Sequence, residues 1–170
     1  MNFDRFYNYK GLELKDYGPY PFTFDLKETT EKNNFYRVVL WTGEHLQLTL
    51  MSIPVNDDIG LEVHDVDQFI YLEEGKALVS MGFNKDNLNL KEVIDNGYGV
   101  VIPAGTYHNI TNIDNKDLKL YSIYAPSNHK KNVIQKNKFK IIFHFFTNLI
   151  NFFIEIRYSF FFVVTRYNNT

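Results

Sequence analysis

Between residues 36 and 124 apolar side chains recur in short runs of strand length, each run bounded by Gly, Asn, Asp or Pro. YRVVLW (36–41) leads into Thr42-Gly43, and HLQLTLMSI (45–53) follows. In the second run His45, Gln47, Thr49 and Met51 alternate with Leu46, Leu48 and Leu50, the period of two that a strand imposes on its two faces. GLEVH (60–64), QFIYL (68–72), ALVSM (77–81), VVI (100–102), HNITNI (108–113) and LKLYSIY (118–124) read the same way. Many short strands with turn residues between them predict an all-β, antiparallel double-sheet sandwich or barrel. Asp25, followed three residues later by Glu28, has the form of a capping box and predicts a short helix ending near Asn33.

The pattern breaks near residue 138. All nine glycines and all five prolines precede that point, whereas the remainder carries nine of the sixteen phenylalanines. Residues 1–34 are therefore expected to be an extension lying along the outside of a barrel at 35–128, and 129–170 a linker and a non-barrel, hydrophobic, partly helical tail. From Ile141 to Val164 the apolar residues favour membrane insertion by roughly 5–10 kcal/mol in total, which Arg157 and the other polar residues bring close to break-even. His144, Asn148, Asn151 and Glu155 recur at helical spacing. An amphipathic helix over about 139–157, not a transmembrane span, is the expectation. Its apolar face would cover the barrel, a second subunit of a homodimer or a membrane surface.

Composition narrows the chemistry. Eighteen Lys and Arg against twenty Asp and Glu leave a formal charge of −2, with no basic surplus for a nucleic-acid backbone. There is no cysteine, so disulfides, thiolate metal sites and cysteine nucleophiles drop out. Any transition-metal site must use the five histidines with carboxylates or amides. The polar, acidic amino terminus does not read as a signal peptide, and a cytoplasmic location is the expectation. No GxGxxG, P-loop or GxSxG pattern is present.

Glu62 and His64 lie two apart on one predicted strand, so both leave the same face while Leu61 and Val63 leave the other. Gln68 opens the next strand, and His108 follows the turn PAGTYH. If the strands close into a barrel these four side chains can converge. Two imidazoles, a carboxylate and an amide oxygen suit a divalent Zn, Mn, Fe or Ni ion. The spacing equally accommodates His64 and His108 as separate, hydrogen-bonded residues.

Two stretches resemble the paired motifs of the cupin superfamily. GYGVVIPAGTYHNITN matches G-x5-P-x-G-x2-H-x3-N without a gap, at Gly97, Pro103, Gly105, His108 and Asn112. NDDIGLEVHDVDQFIYLEEG meets the first motif only in part. Glu62 stands where a histidine is expected, Gln68 where a glutamate is, and Asn56 where the opening glycine is, while His64 and Gly75 match. The chain is similar to small single-domain bacterial cupins of the RmlC-like, mannose-6-phosphate-isomerase-like group. That resemblance implies a jelly-roll barrel with a metal held by Glu62, His64, Gln68 and His108. It also implies a small-molecule ligand inside the barrel.

Three functions follow as expectations: a metal-dependent isomerase or epimerase of a small sugar-like molecule, a non-catalytic metal or ligand binder, and an Fe(II)-dependent oxygenase on His64, His108 and Glu62. Gln47, Thr49, Met51, Tyr107 and Tyr124 read as structural residues of the cavity wall. His45 reads as solvated, and His129 and His144 as lying outside the barrel. Asp57, Asp58, Asp65 and Asp67 read as an acidic rim favouring neutral or cationic ligands. The only arginines before residue 138 are Arg5 and Arg37, and neither belongs to a motif, which counts against a sugar-phosphate substrate.

Overall fold

The structure, a computed structural model, describes residues 13–138. The predicted tail helix at 139–157 lies outside the described residues. Among those described, no helix is long and apolar enough to cross a membrane.

Among the described residues one helix, α1 (Leu26–Lys32), precedes nine strands. The Asp25 side chain accepts from the Glu28 amide at 2.8 Å, satisfying one of the free N–H groups of the first turn. The strands are β1 (Arg37–Thr42), β2 (Gln47–Ile53), β3 (Asp67–Glu74), β4 (Ala77–Gly82), β5 (Leu90–Ile94), β6 (Gly99–Ile102), β7 (Tyr107–Asn112), β8 (Leu118–Ala125) and β9 (Ile134–Gln135). They form two antiparallel sheets, a six-stranded one in the order β6-β3-β8-β2-β1-β9 and a three-stranded one in the order β5-β4-β7. This is the expected double-sheet jelly roll. Gly97–Asn112, which carries the gap-free motif, forms β6, a turn and β7.

Two details differ from the pattern reading. GLEVH (60–64) is not a strand; it touches β7 through a single bridge, Glu62 to His108. β5 and β9 were not foreseen, because β5 is exposed along most of its length and β9 has only two residues.

The register divides the barrel interior into two halves. Along the inward face Gln47 pairs with Tyr124, Thr49 with Ser122, Met51 with Leu120 and Ile53 with Leu118. On the other side of β8, Gln68 pairs with Tyr124, Ile70 with Ser122 and Leu72 with Leu120. One half is thus filled by Met51, Ile53, Leu72, Leu118 and Leu120, joined by Val79 and Ile110 from the smaller sheet. The other holds the buried polar residues Gln47, Thr49, Gln68, Ser122 and His108, together with Tyr124.

Part of the outward face of the larger sheet is covered as well, while Val101 of β6 stays exposed. α1 packs against β3 and β8, and the Tyr17 amide bonds the Leu40 carbonyl at 2.8 Å. Lys119 reaches out of β8 to donate to the Asn33 carbonyl, Asn34 Oδ1 and Ser52 Oγ. Asn56, in place of the first motif's glycine, has φ 61°. Asn tolerates this left-handed conformation better than most side chains, so the departure leaves the turn intact.

Candidate metal centre

The turn before β7 and the segment after Gly60 bring three side chains together. Single ligand atoms of Glu62, His64 and His108 all lie within 4.8 Å of one another, a spacing that could hold a metal ion. Glu62 and His64 point inward because Leu61 and Val63 take the solvent side. The Glu62 amide and carbonyl pair with the His108 carbonyl and amide, each at 2.9 Å, so the backbone itself sets the spacing of these two.

Each of the four predicted ligands presents one buried atom that has no hydrogen-bond partner: Glu62 Oε2, His64 Nε2, Gln68 Oε1 and His108 Nε2. Their remaining polar atoms are engaged. His108 Nδ1 lies 2.9 Å from the Thr106 carbonyl, which requires the proton on Nδ1 and leaves a lone pair on Nε2. Gln68 Nε2 donates to Ser122 Oγ at 3.3 Å and to the Tyr124 hydroxyl at 3.0 Å, so the amide oxygen is the free end. Glu62 Oε1 accepts from Arg37 at 2.9 Å. His64 Nδ1 lies 3.2 Å from Asn128 Nδ2; a neutral ring presents a lone pair on Nε2 only with that amide flipped, so that its oxygen faces Nδ1. Buried polar atoms are normally paired, so the unpartnered atoms of Glu62, His64 and His108, which lie close to one another, could hold a divalent ion.

The electrostatics agree. Burial alone would raise the Glu62 carboxyl, but His64 and Arg37 beside it outweigh that and hold it down at about 2. His64 Nε2 and Glu62 Oε2 stand 3.4 Å apart without hydrogen-bond geometry. Burial lowers His108, keeping its ring neutral and able to bind metal.

Two residues set aside by the sequence reading belong here. His129 is not outside the barrel: its ring packs edge-on against Tyr124 at 4.9 Å and lies 6.4 Å from that of His64. The agent is Gln47. Its Oε1 accepts from the Asn128 and His129 amides, and its Nε2 donates to the His129 carbonyl and to Thr42 Oγ1. One buried side chain thus clamps residues 128–129 over the polar half of the barrel. Burial, with Arg37 nearby, pushes His129 down to about 4, and its Nε2 has no partner.

Arg37, in no motif, shares a strand face with Val39, which pairs with the inward Thr49, and forms a buried ion pair with Glu62. Of the two predicted aromatic walls, Tyr124 stands in the site and is fully buried. Tyr107, adjacent to His108 in β7, leaves the opposite face. His45 is exposed, as expected. Two rim carboxylates are spent locally: Asp67 accepts from the Ala104 amide, and Asp58 from the Gly60 amide and Asn109.

A double-sheet antiparallel barrel with two histidines and a carboxylate at one end defines a class, and known proteins place the chain within it. Residues 49–124 match the family model described as "Cupin domain". The chain is 48% identical over 133 residues to YrkC of Bacillus subtilis, covering 78% of this chain and 72% of that one. It is 46% identical over 110 residues to L612 of Acanthamoeba polyphaga mimivirus, covering 64% of this chain and 67% of that one. The crystal structure of BH2720 from Bacillus halodurans is similar with a TM-score of 0.72 and 50% identity, covering 73% of this chain and 95% of that one. The chain belongs to the cupin superfamily.

Proposed function

We propose that the chain binds one divalent metal ion through Glu62, His64, Gln68 and His108 and uses it to take a small polar, oxygen-bearing molecule into the barrel, with isomerase- or epimerase-type proton transfer as the chemistry. The observation that carries this reading is the set of four unpartnered, buried donor atoms, one on each of these residues. A bound divalent ion supplies Lewis acidity, polarising ligand oxygens. The protein's part is to hold the donors: Thr106 orients His108, Ser122 and Tyr124 orient Gln68, and Arg37 engages the second oxygen of Glu62.

Proton transfer needs a base outside these four. His129 is the nearest, with a free Nε2 beside His64 and Tyr124. Its low proton affinity, at about 4, makes it a slow proton acceptor at neutral pH and favours a second reading, a binding module without turnover.

Elemental analysis of protein purified without chelators is expected to find about one divalent ion per chain. The double variant His64→Ala, His108→Ala is expected to lose that ion while keeping its far-ultraviolet circular dichroism. No uptake by the parent chain after incubation with Zn²⁺, Mn²⁺, Fe²⁺ and Ni²⁺ overturns the reading, as does unchanged stoichiometry in the variant. Exchange of the α-hydrogen of a bound hydroxy-carbonyl compound with D₂O separates turnover from binding.

A further inference from the structure

We infer that the ligand of this site is a small carboxylate rather than a neutral sugar, recognised by Arg37 and His129. The inference rests on the metal-site reading above and deepens it. Two observations carry it. The first is charge. Neutral imidazoles and an amide contribute nothing, so a divalent ion held here, with the one negative charge of Glu62 and the one positive charge of Arg37, would leave two positive charges in a mostly buried space. Without Arg37 the remainder would be one. A guanidinium ion-paired to a metal ligand is a constant cation and adds to the pull on an incoming anion.

The second observation is the spare hydrogen-bonding capacity. Arg37 spends one terminal nitrogen on Glu62, and its Nε–H is buried without a partner. His129 Nε2 is also unpartnered, on a ring held against Tyr124 and near His64, and in the Nε2–H tautomer of the neutral ring it is a donor rather than a base. Neither atom is needed as a metal donor, yet both residues border the donors. An unpaired guanidinium N–H beside a cationic centre is the recognition chemistry of a carboxylate. The acidic rim does not oppose this: Asp58 and Asp67 are occupied by backbone amides and Asn109, and charges at the solvent boundary are screened.

The test uses the full chain loaded with Zn²⁺ and compares lactate with propane-1,2-diol, which share a skeleton and differ by carboxylate against hydroxymethyl. Calorimetric titration is expected to show lactate binding tighter by about tenfold or more. In Arg37→Met, with zinc content checked by elemental analysis, that preference is expected to shrink to near parity. Because Arg37→Met also removes the partner of Glu62, a second variant, His129→Phe, keeps the ion pair and deletes only Nε2. It is expected to weaken lactate several-fold at unchanged zinc content. Equal binding of lactate and the diol by the loaded parent chain overturns the inference, and so does a preference that survives in both variants. Failure to take up zinc is seen before any lactate is added and sinks the metal-site reading, and this inference with it.

Discussion

The two sheets are made of the same kind of segment but live in different surroundings. In the six-stranded sheet β1 and β2 are buried along almost their whole length, on both faces. In the three-stranded sheet burial alternates along β7, and β5 is exposed except at Ile94. The covered sheet supplies Arg37, Gln47, Gln68 and Tyr124, each with a polar atom bonded inside the barrel or to the clamped segment. The half-bare sheet supplies His108 and, through one bridge, the segment carrying Glu62 and His64. Orientation of the site therefore comes mainly from the covered side, and two of its histidines from the open side.

The contrast is sharpest in stability. Leu50→Ala, in the middle of β2 and fully buried, is expected to lower unfolding free energy by about 3–5 kcal/mol through lost burial and a cavity. Val93→Ala in β5, where the residue is 49% exposed, is expected to change it by no more than about 0.5 kcal/mol. Urea unfolding followed by fluorescence measures both, and comparable losses would erase the distinction between the sheets.

A smaller effect separates structure from positioning within the covered sheet. Gln47→Met keeps the volume but deletes every bond to residues 128–129. The expected cost is about 1–3 kcal/mol, with faster amide exchange confined to the segment around Asn128 and His129. Unchanged exchange there would show that the clamp does not depend on this side chain.

The least effect concerns acid. His129, pushed down to about 4, and His108, also lowered, are neutral in the fold, while in the unfolded chain each takes up a proton near 6.5. Between those values the unfolded state binds more protons than the native one, so stability falls as pH falls from 6.5 toward 4. Glu62 acts lower: its depressed carboxyl contributes stability that is present above 4.5 and lost as pH drops through about 2. In metal-free protein, His129→Asn is expected to flatten the fall of melting temperature between pH 6.5 and 4 relative to the parent chain. Parallel curves would mean that His129 is already free to protonate in the fold.

How far the sequence could be read follows from the same contrast. The larger sheet and the β6–β7 motif were legible because inward and outward positions alternate and the turn glycines fall at fixed offsets. β5 was not, since a strand with both faces near solvent leaves no burial signal in its residues. Glu62, His64 and His108, which the fold brings together, were legible as a group because a motif fixes their spacing. Arg37 and His129 were not, because what brings them in is a contact far along the chain: Glu62 is 25 residues from Arg37, and Gln47 is 82 from His129. A buried glutamine aimed at a backbone segment gives no pattern by itself. The one available signal was an arginine at an inward position of an otherwise apolar strand.

The division of the barrel interior also sets a depth limit on whatever enters it. Beyond the layer of Gln47, Gln68 and Tyr124 lies a mixed one, Thr49 and Ser122 beside the apolar Ile70, and then a floor of Met51, Leu72 and Leu120. Successive layers on a strand face stand about 7 Å apart. Any charge driven into that floor would be stripped of water with nothing to replace it, so under the proposed function a ligand would set one polar end above the floor and leave a longer far end at the rim. On the proposed function, the barrel would take one end of a molecule and be indifferent to the length of the other. Compounds sharing a head group but differing in tail should compete for it on nearly equal terms.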